Sequence, residues 1–336
     1  MDTTLRTANR LLDTSLCLRP AEWSDAEAVA GLIHDACIAQ GDAARALTPE
    51  EVKFGWRATG FNMEKDTFVV ETAGGRIVGY EEITNSYGYA VLDMDGYIHP
   101  DYRGRGIGTT LLRSVERRAR ELMAFAEPDV RVSIRTTIGR DEPNGIALHE
   151  NEGYHTTRYH WRMEIRLDGA PAEPRWPDGI ELRPFRQMEH ELAVWRANNE
   201  AGREEPGSHA WSLDQWREYR FDDPEYDPSL WAIAWAGDEV AGYSLNRDRT
   251  GMGWIQAVGV RPQWRKRGIA QALLRHSFAE FHRRGMRTVG LGVDSYSPKG
   301  AHRLYERVGM HPVSASVMYE KELRAGRDPN RVSTVA

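Results

Sequence analysis

Apolar positions follow two periods along this chain, and their order repeats. Leu16 and Leu18 alternate with Cys17 and Arg19 ahead of Pro20, which predicts a short strand that stops where proline cannot continue a ladder. Over residues 25–38, Ala26, Val29, Leu32, Ile33 and Ala36 fall at helical intervals, with Ser24 or Asp25 placed to cap the first turn. Residues 67–71 and 76–80 are apolar runs flanking Ala73-Gly74-Gly75, a hairpin signal. Residues 89–99 read as a strand that Pro100 ends, followed by a helix with Leu111, Leu112 and Val115 on one face. A further strand at 130–134 and a short helix over 144–152, closed by Gly153, complete the set.

The same order then returns. Leu182-Arg183-Pro184 echoes Leu18-Arg19-Pro20, and hairpin runs flank Gly237-Asp238. A strand over 254–260 stops at Pro262, and Ile269, Leu273, Leu274, Phe278 and Phe281 form a helical stripe. A strand at 288–293 and a helix over 299–308, closed by Gly309, follow. Corresponding residues lie about 160 positions apart throughout, the signature of a duplicated domain rather than a reused loop. Residues 167–179 hold Gly169, Pro171, Pro174, Pro177 and Gly179, a linker composition. The chain therefore reads as an N-terminal domain at 1–166, a linker at 167–179, a C-terminal domain at 180–324 and a disordered tail at 325–336, with residues 1–14 loose.

Length supports this division, since 336 residues exceed the usual limit of a single core. A net charge of −6 gives no support to a general role on nucleic acid or acidic membranes. The two cysteines, Cys17 and Cys37, have neither metal nor redox spacing, which predicts a cytoplasmic protein without a metal site. No run approaches the roughly 20 apolar residues of a membrane span, and there is no signal-peptide core.

Chemistry concentrates where each long strand gives way to a helix. After Val258, Gly259, Val260 and Pro262 comes a turn of Arg265, Lys266, Arg267 and Gly268, opening into Ile269 and Ala270. After Ile98 and Pro100 comes Arg103, Gly104, Arg105 and Gly106, opening into Ile107 and Gly108. A helix start offers unpaired N–H groups and a positive dipole end, so each turn is a cradle for a phosphate. Both copies fit Arg-x-x-Gly-x-Gly/Ala three residues after a proline. With a strand before and a helix after, this pattern resembles the acetyl-CoA-binding motif of the GNAT superfamily of N-acetyltransferases. The resemblance covers nearly the whole chain. It implies an α/β fold built as two tandem GNAT (acyl-CoA N-acyltransferase) domains, each an α+β mixed sheet with helices on both faces.

The resemblance further implies direct acetyl transfer from acetyl-CoA, the expected co-substrate, to an amine. Backbone groups of 265–270, aided by the basic side chains, would hold the pyrophosphate, and the splayed strand around Val258, Gly259 and Val260 would bond the pantetheine arm and the thioester carbonyl. Gly259 fits a close backbone approach or simple packing equally. Tyr305, four residues before Gly309, matches the tyrosine that serves as general acid; the first half has His149 there, a departure from the family pattern. Ser297 stands where the family places an asparagine against the pantetheine, and Asn144 lies in that region of the first half. The base stays open: Gln256 could only orient a water, Asp294 is a candidate, and Asp93 and Asp95 on the first strand are equally well explained as solvent-facing.

Residues 198–228 interleave nine carboxylates with Trp211, Trp216, Tyr219 and Tyr226, which suits either a wall that attracts a cationic amine or an ordinary solvated helix pair. The sequence thus predicts an N-acetyltransferase for the primary amine of a small molecule, acting as monomer or homodimer, with its chemistry mainly in the C-terminal domain. It is of the tandem type similar to mycothiol synthase and antibiotic N-acetyltransferases. The alternatives are acetylation of a cysteinyl amine in the manner of mycothiol synthase, or an acetyl-CoA-binding sensor without turnover.

Overall fold

The computed structural model describes residues 12–42, 46–204, 210–249, 251–295 and 300–328. Ser297 and the greater part of the expected tail lie outside them. Two compact units emerge, each a mixed sheet between helices.

The first unit runs in the predicted order. β1 (Leu16–Arg19) leads to helices α1 (Ala26–Ala39), α2 (Pro49–Trp56) and α3 (Met63–Asp66), then to β2 (Thr67–Thr72), β3 (Ile77–Tyr87) and β4 (Val91–Ile98). Helix α4 (Ile107–Leu122), β5 (Val132–Gly139) and α5 (Pro143–Asn151) follow. Helix α2 starts where Thr48 and Glu51 bond each other's backbone N–H, with Pro49 at the first helical position. The stripe of α4 buries Ile107, Leu111, Leu112 and Val115 against the sheet, as its spacing predicts. On the other face α1 and α2 bury Val29, Ile33, Val52 and Trp56. Leu12 joins the core, so the last part of the segment expected to be loose is packed.

The second unit holds β6 (His155–Arg166, from Tyr159 onward), β7 (Glu181–Pro184), α6 (Gln187–Gly202), α7 (Leu213–Phe221), β8 (Ala232–Ala236), β9 (Glu239–Arg249) and β10 (Met252–Val260). Helix α8 (Ile269–Arg283), β11 (Thr288–Asp294) and α9 (Ala301–Arg307) complete it, and β12 (His311–Arg324) follows. Its core collects Leu274, Phe278 and Phe281 of α8 with Ile255, Val289 and Leu291 of the sheet.

The domain boundaries differ from those the sequence predicts. The strand that closes the first sheet is β12, whose residues 316–324 pair antiparallel with β5. The strand that closes the second is β6, whose residues 160–166 pair antiparallel with β11. The first unit is therefore the described residues up to Arg158 together with those from Ser316, and the second is Tyr159–Ala315. Within each, the strand orders are β1-β2-β3-β4-β5-β12 and β6-β11-β10-β9-β8-β7. The segment expected to be a linker behaves accordingly: because β6 already belongs to the second unit, Leu167 is buried there and its N–H bonds the Arg287 carbonyl at 2.8 Å. Trp176 packs beside Ala232 and Leu273. The start of the expected tail is also ordered: the Arg327 N–H bonds the Asp129 carbonyl at 2.7 Å.

This exchange generates a stability prediction. Tyr319 of β12 is buried, its ring lies 6.3 Å from that of His149, and its hydroxyl bonds Glu150 at 3.1 Å. Tyr319→Ala removes a buried ring from the first core, a loss of about 3 kcal/mol. Hydrogen exchange will show the amides of β5 and α4 opening at lower free energy, while those of β9 and α8 hold.

Candidate active site

In both units the two central parallel strands part company. β4 pairs with β5 at only three positions, Val91↔Ser133, Leu92↔Ile134 and Asp93↔Arg135, yet continues beside β3 as far as Ile98↔Gly79. β10 pairs with β11 only at Gly253↔Val289 and Trp254↔Gly290, yet continues beside β9 to Val260↔Gly242, after a bulge at Gln256. A bulge bends its strand and twists the local sheet. The β11-facing main-chain groups of Ala257, Val258, Gly259 and Val260 are thereby left outside that ladder, as the sequence reading requires.

Each diverging strand ends at a proline turn whose last residue is a left-handed glycine, Gly106 at φ 78° and Gly268 at φ 88°. Beyond its chain neighbours, no heavy atom lies within 4 Å of where a Cβ would stand at Gly268, and Gly106 lines an open cavity, so both helix starts are open to a ligand. The residues present therefore fit a phosphate group at each helix N-terminus. The side chains differ between the halves. Arg265, expected on the pyrophosphate, donates to the Val260 carbonyl at 3.1 Å and pairs with Glu204 at 2.5 Å. Arg267 donates to the Asp178 carbonyl at 3.2 Å. Lys266 is exposed and itself left-handed, at φ 62°. In the first half Arg103 lines an open cavity, while Arg105 stacks over the Tyr102 ring at 4.8 Å.

That cavity, about 620 Å³, is lined by Ile98, Gly104, Gly106, Ile107 and Gly108 from the cradle, and by Asn144, Leu148 and His149 from α5. His149 holds the Gly145 carbonyl at 2.8 Å through Nδ1, which must therefore carry the proton. Burial also pushes its pKa down, so the neutral ring presents Nε2 as an acceptor. Asp93 is held by Arg135, whereas Asp95 faces the cavity and accepts from the Tyr97 hydroxyl at 2.9 Å.

In the second half Tyr305 is 8 % exposed in the cluster that Val258 of the splayed segment packs against. Asp294 does not join it: Val293 belongs to that cluster, and the strand pleat turns Asp294 to the opposite face, in register with His160. The Gln256 amide oxygen accepts from buried Arg220. A Cβ at Gly259 would meet the Tyr243 hydroxyl at 2.3 Å, so packing against that ring is one reason for the glycine. The acidic run is largely paired within its unit, Glu200 with Arg261, Glu204 with Arg265, Asp223 and Glu225 with Arg247, and Asp227 with Arg284.

The residues the sequence reading missed are Glu81 and Glu82. They sit side by side in β3, where adjacent charges in a strand suggest that at least one faces water. Both are covered. Glu81 lines the cavity over Gly96, and burial, then Asp95 and Glu82, drive its carboxyl far above the usual range. Glu82 accepts from the Tyr80 hydroxyl, which in turn accepts from Trp56 Nε1 at 2.8 Å. Burial, reinforced by Asp95, brings its pKa to about 7.

Comparison with known proteins agrees with this geometry. Residues 190–310 match the acetyltransferase (GNAT) family and residues 64–156 an acetyltransferase (GNAT) domain. A mycothiol acetyltransferase of Salinispora arenicola is 30 % identical over 260 residues, covering 75 % of this chain and 80 % of that one. The chain belongs to the GNAT acetyltransferase family. A GCN5-related N-acetyltransferase from Sphaerobacter thermophilus superimposes on this GNAT protein with a TM-score of 0.81 at 35 % identity, over 96 % of this chain and all of the other. A tandem GNAT protein from the clavulanic acid biosynthesis pathway shares the fold, with a TM-score of 0.69 at 18 % identity, over 93 % of this chain and all of the other. This GNAT chain is thus an acyltransferase built of two such domains. Among the described residues, no group of three or more histidine, cysteine or acidic side chains could hold a metal.

The Glu82 environment gives a pH prediction. A carboxyl whose folded-state pKa is raised favours the protonated fold, so its contribution is present in acid and lost as pH rises through about 7. Glu82→Gln, which keeps an acceptor for Tyr80, will raise the melting temperature of the first unit at about pH 8, and the gain will vanish at about pH 4.

Proposed function

We propose that the protein transfers the acetyl group of acetyl-CoA to the primary amine of a small molecule, with the main reaction in the C-terminal half. The observation that carries this is the position of Tyr305, buried in the same cluster that Val258 of the splayed strand joins. When bound, the co-substrate supplies the activated thioester. The open amides at Gly268, Ile269 and Ala270 hold its phosphates, and the main chain of 257–260 orients the arm along the gap left by β11. The Tyr305 hydroxyl gives a proton to the departing sulfur, which lowers the cost of a thiolate leaving group. The acceptor's own proton must leave before attack. Localisation in a reducing cytoplasm remains part of this reading, carried by Cys17 and Cys37, neither of which forms a disulfide.

A second reading narrows the acceptor. The name of the Salinispora relative favours a cysteinyl amine, whose ammonium is less basic than that of an alkylamine and so needs less help to lose its proton.

Two variants test the assignment. Tyr305→Phe keeps the ring and removes the proton donor; kcat will fall about 100-fold while coenzyme A binding by calorimetry is unchanged. Gln271→Glu sets a carboxylate in the first turn of α8, which favours the helix but repels a phosphate. It will weaken one coenzyme A site and lower thiol release with the preferred amine by a similar factor. Retention of full turnover in both variants would defeat the reading.

A further inference from the structure

The two halves are not chemically equivalent at the point where their strands diverge. Gly79 pairs with Ile98 at the end of the first cradle strand, and Gly242 with Val260 at the end of the second. Both glycines pack under the first isoleucine of the cradle helix, Ile107 and Ile269 respectively. Counting from these pairs, the first half has Glu81 opposite Gly96 and Glu82 opposite Asp95. At the same ladder positions the second half has Ser244 opposite Val258 and Leu245 opposite Ala257. Three carboxylates stand where the other half has a hydroxyl and two apolar side chains.

Their placement is costly to the fold unless it serves something. Glu81 is 9 % exposed and lines the cavity, and among the described residues no arginine or lysine pairs with it or with Glu82. A Cβ on Gly96 would lie 2.1 Å from the Glu81 carboxylate, so the glycine is what leaves that carboxylate its space. Asp95 and Glu82 act on it from the other face of the strand pair, and on its own face stand Tyr154 and Glu116 of α4, the latter held by Lys321. Removing charge from water without a counter-ion is expensive, so the cluster favours any cation that enters. The cavity also contains the open helix start of the first cradle.

We propose that the N-terminal half is a second acyl-transfer site for a primary ammonium acceptor, in which Glu81, backed by Glu82 and Asp95, takes the acceptor's proton. This rests on the family's reaction with an acyl-CoA thioester. Entry of the ammonium favours the ionised form of Glu81, whose carboxyl proton leaves to solvent. The ammonium then gives one proton to that carboxylate and becomes a neutral amine. Its lone pair forms the C–N bond to the thioester carbonyl carbon as the C–S bond breaks. The second proton passes from nitrogen to the departing sulfur, and the first stays on the carboxyl, which restores its resting form. A carboxylate whose proton affinity is lifted toward that of an amine makes the first transfer less uphill than an ordinary one would.

The test uses the full chain, acetyl-CoA and a panel of primary alkylamines including n-butylamine. Thiol release with at least one amine will survive Gln271→Glu, be lost with Thr109→Glu in the first turn of α4, and fall about 100-fold with Glu81→Gln. Calorimetry will still find two coenzyme A sites in Glu81→Gln, and its melting curve reports folding independently. In the free protein, the carboxyl carbon-13 signal that Glu81→Gln removes will titrate above the ordinary carboxylate range. The proposal is overturned if no amine's turnover survives Gln271→Glu, if Glu81→Gln leaves every rate intact, or if that signal titrates where a solvated glutamate does. If instead no amine loses turnover with Gln271→Glu, the C-terminal assignment fails and this one stands.

Discussion

Everything this chain does chemically depends on a ladder that stops early. Parallel strands β4 and β5, and again β10 and β11, pair for two or three residues and then diverge, while the antiparallel neighbours β3 and β9 hold the other edge to the end. An interrupted ladder is ordinarily a liability, because main-chain groups without partners are costly to cover. Here the gap opens beside a helix start that also lacks partners. Two sets of unsatisfied amides thus meet at one place, which suits a long ligand with a phosphate at one end and an amide-bearing arm behind it.

The glycines at the ladder ends show how sequence tolerances follow from this geometry. Gly79 and Gly242 let the cradle helix settle onto the strand pair, with isoleucine side chains where a Cβ would be. Gly106 and Gly268 supply the left-handed turn that aims the helix at the gap. At the intervening turn position the first half uses Gly104, whereas the second holds Lys266 in the same left-handed conformation. That costs on the order of 1 kcal/mol for a residue with a Cβ.

Around this shared frame the halves have diverged in opposite senses. The second keeps a buried phenol on α9 but has drawn Arg261 and Arg265 into ion pairs with Glu200 and Glu204 of its acidic segment. The first has at that place a histidine that donates through Nδ1 to the Gly145 carbonyl, and has gathered carboxyl groups on its strands. One half thus has a buried phenol at this place and the other a buried carboxyl.

Local pattern was enough to read most of the fold from the chain. Proline and glycine bracket each element, the stripes of α4 and α8 are those that the apolar spacing marks, and near-constant intervals reveal the duplication. Backbone chemistry at the cradles was legible for the same reason, since it depends on which dihedral a residue permits. Three things required the tertiary structure. Closure of each sheet by a strand from the far end of the other repeat cannot be seen in periodicity, because β6 and β12 look alike to any local rule. Pairing of the acidic segment with arginines depends on contacts between elements distant in sequence. The covering of Glu81 and Glu82 depends on both faces of β3 being occupied, by α4 on one side and by α1 and α2 on the other, and alternation along a single strand carries no record of what packs against it.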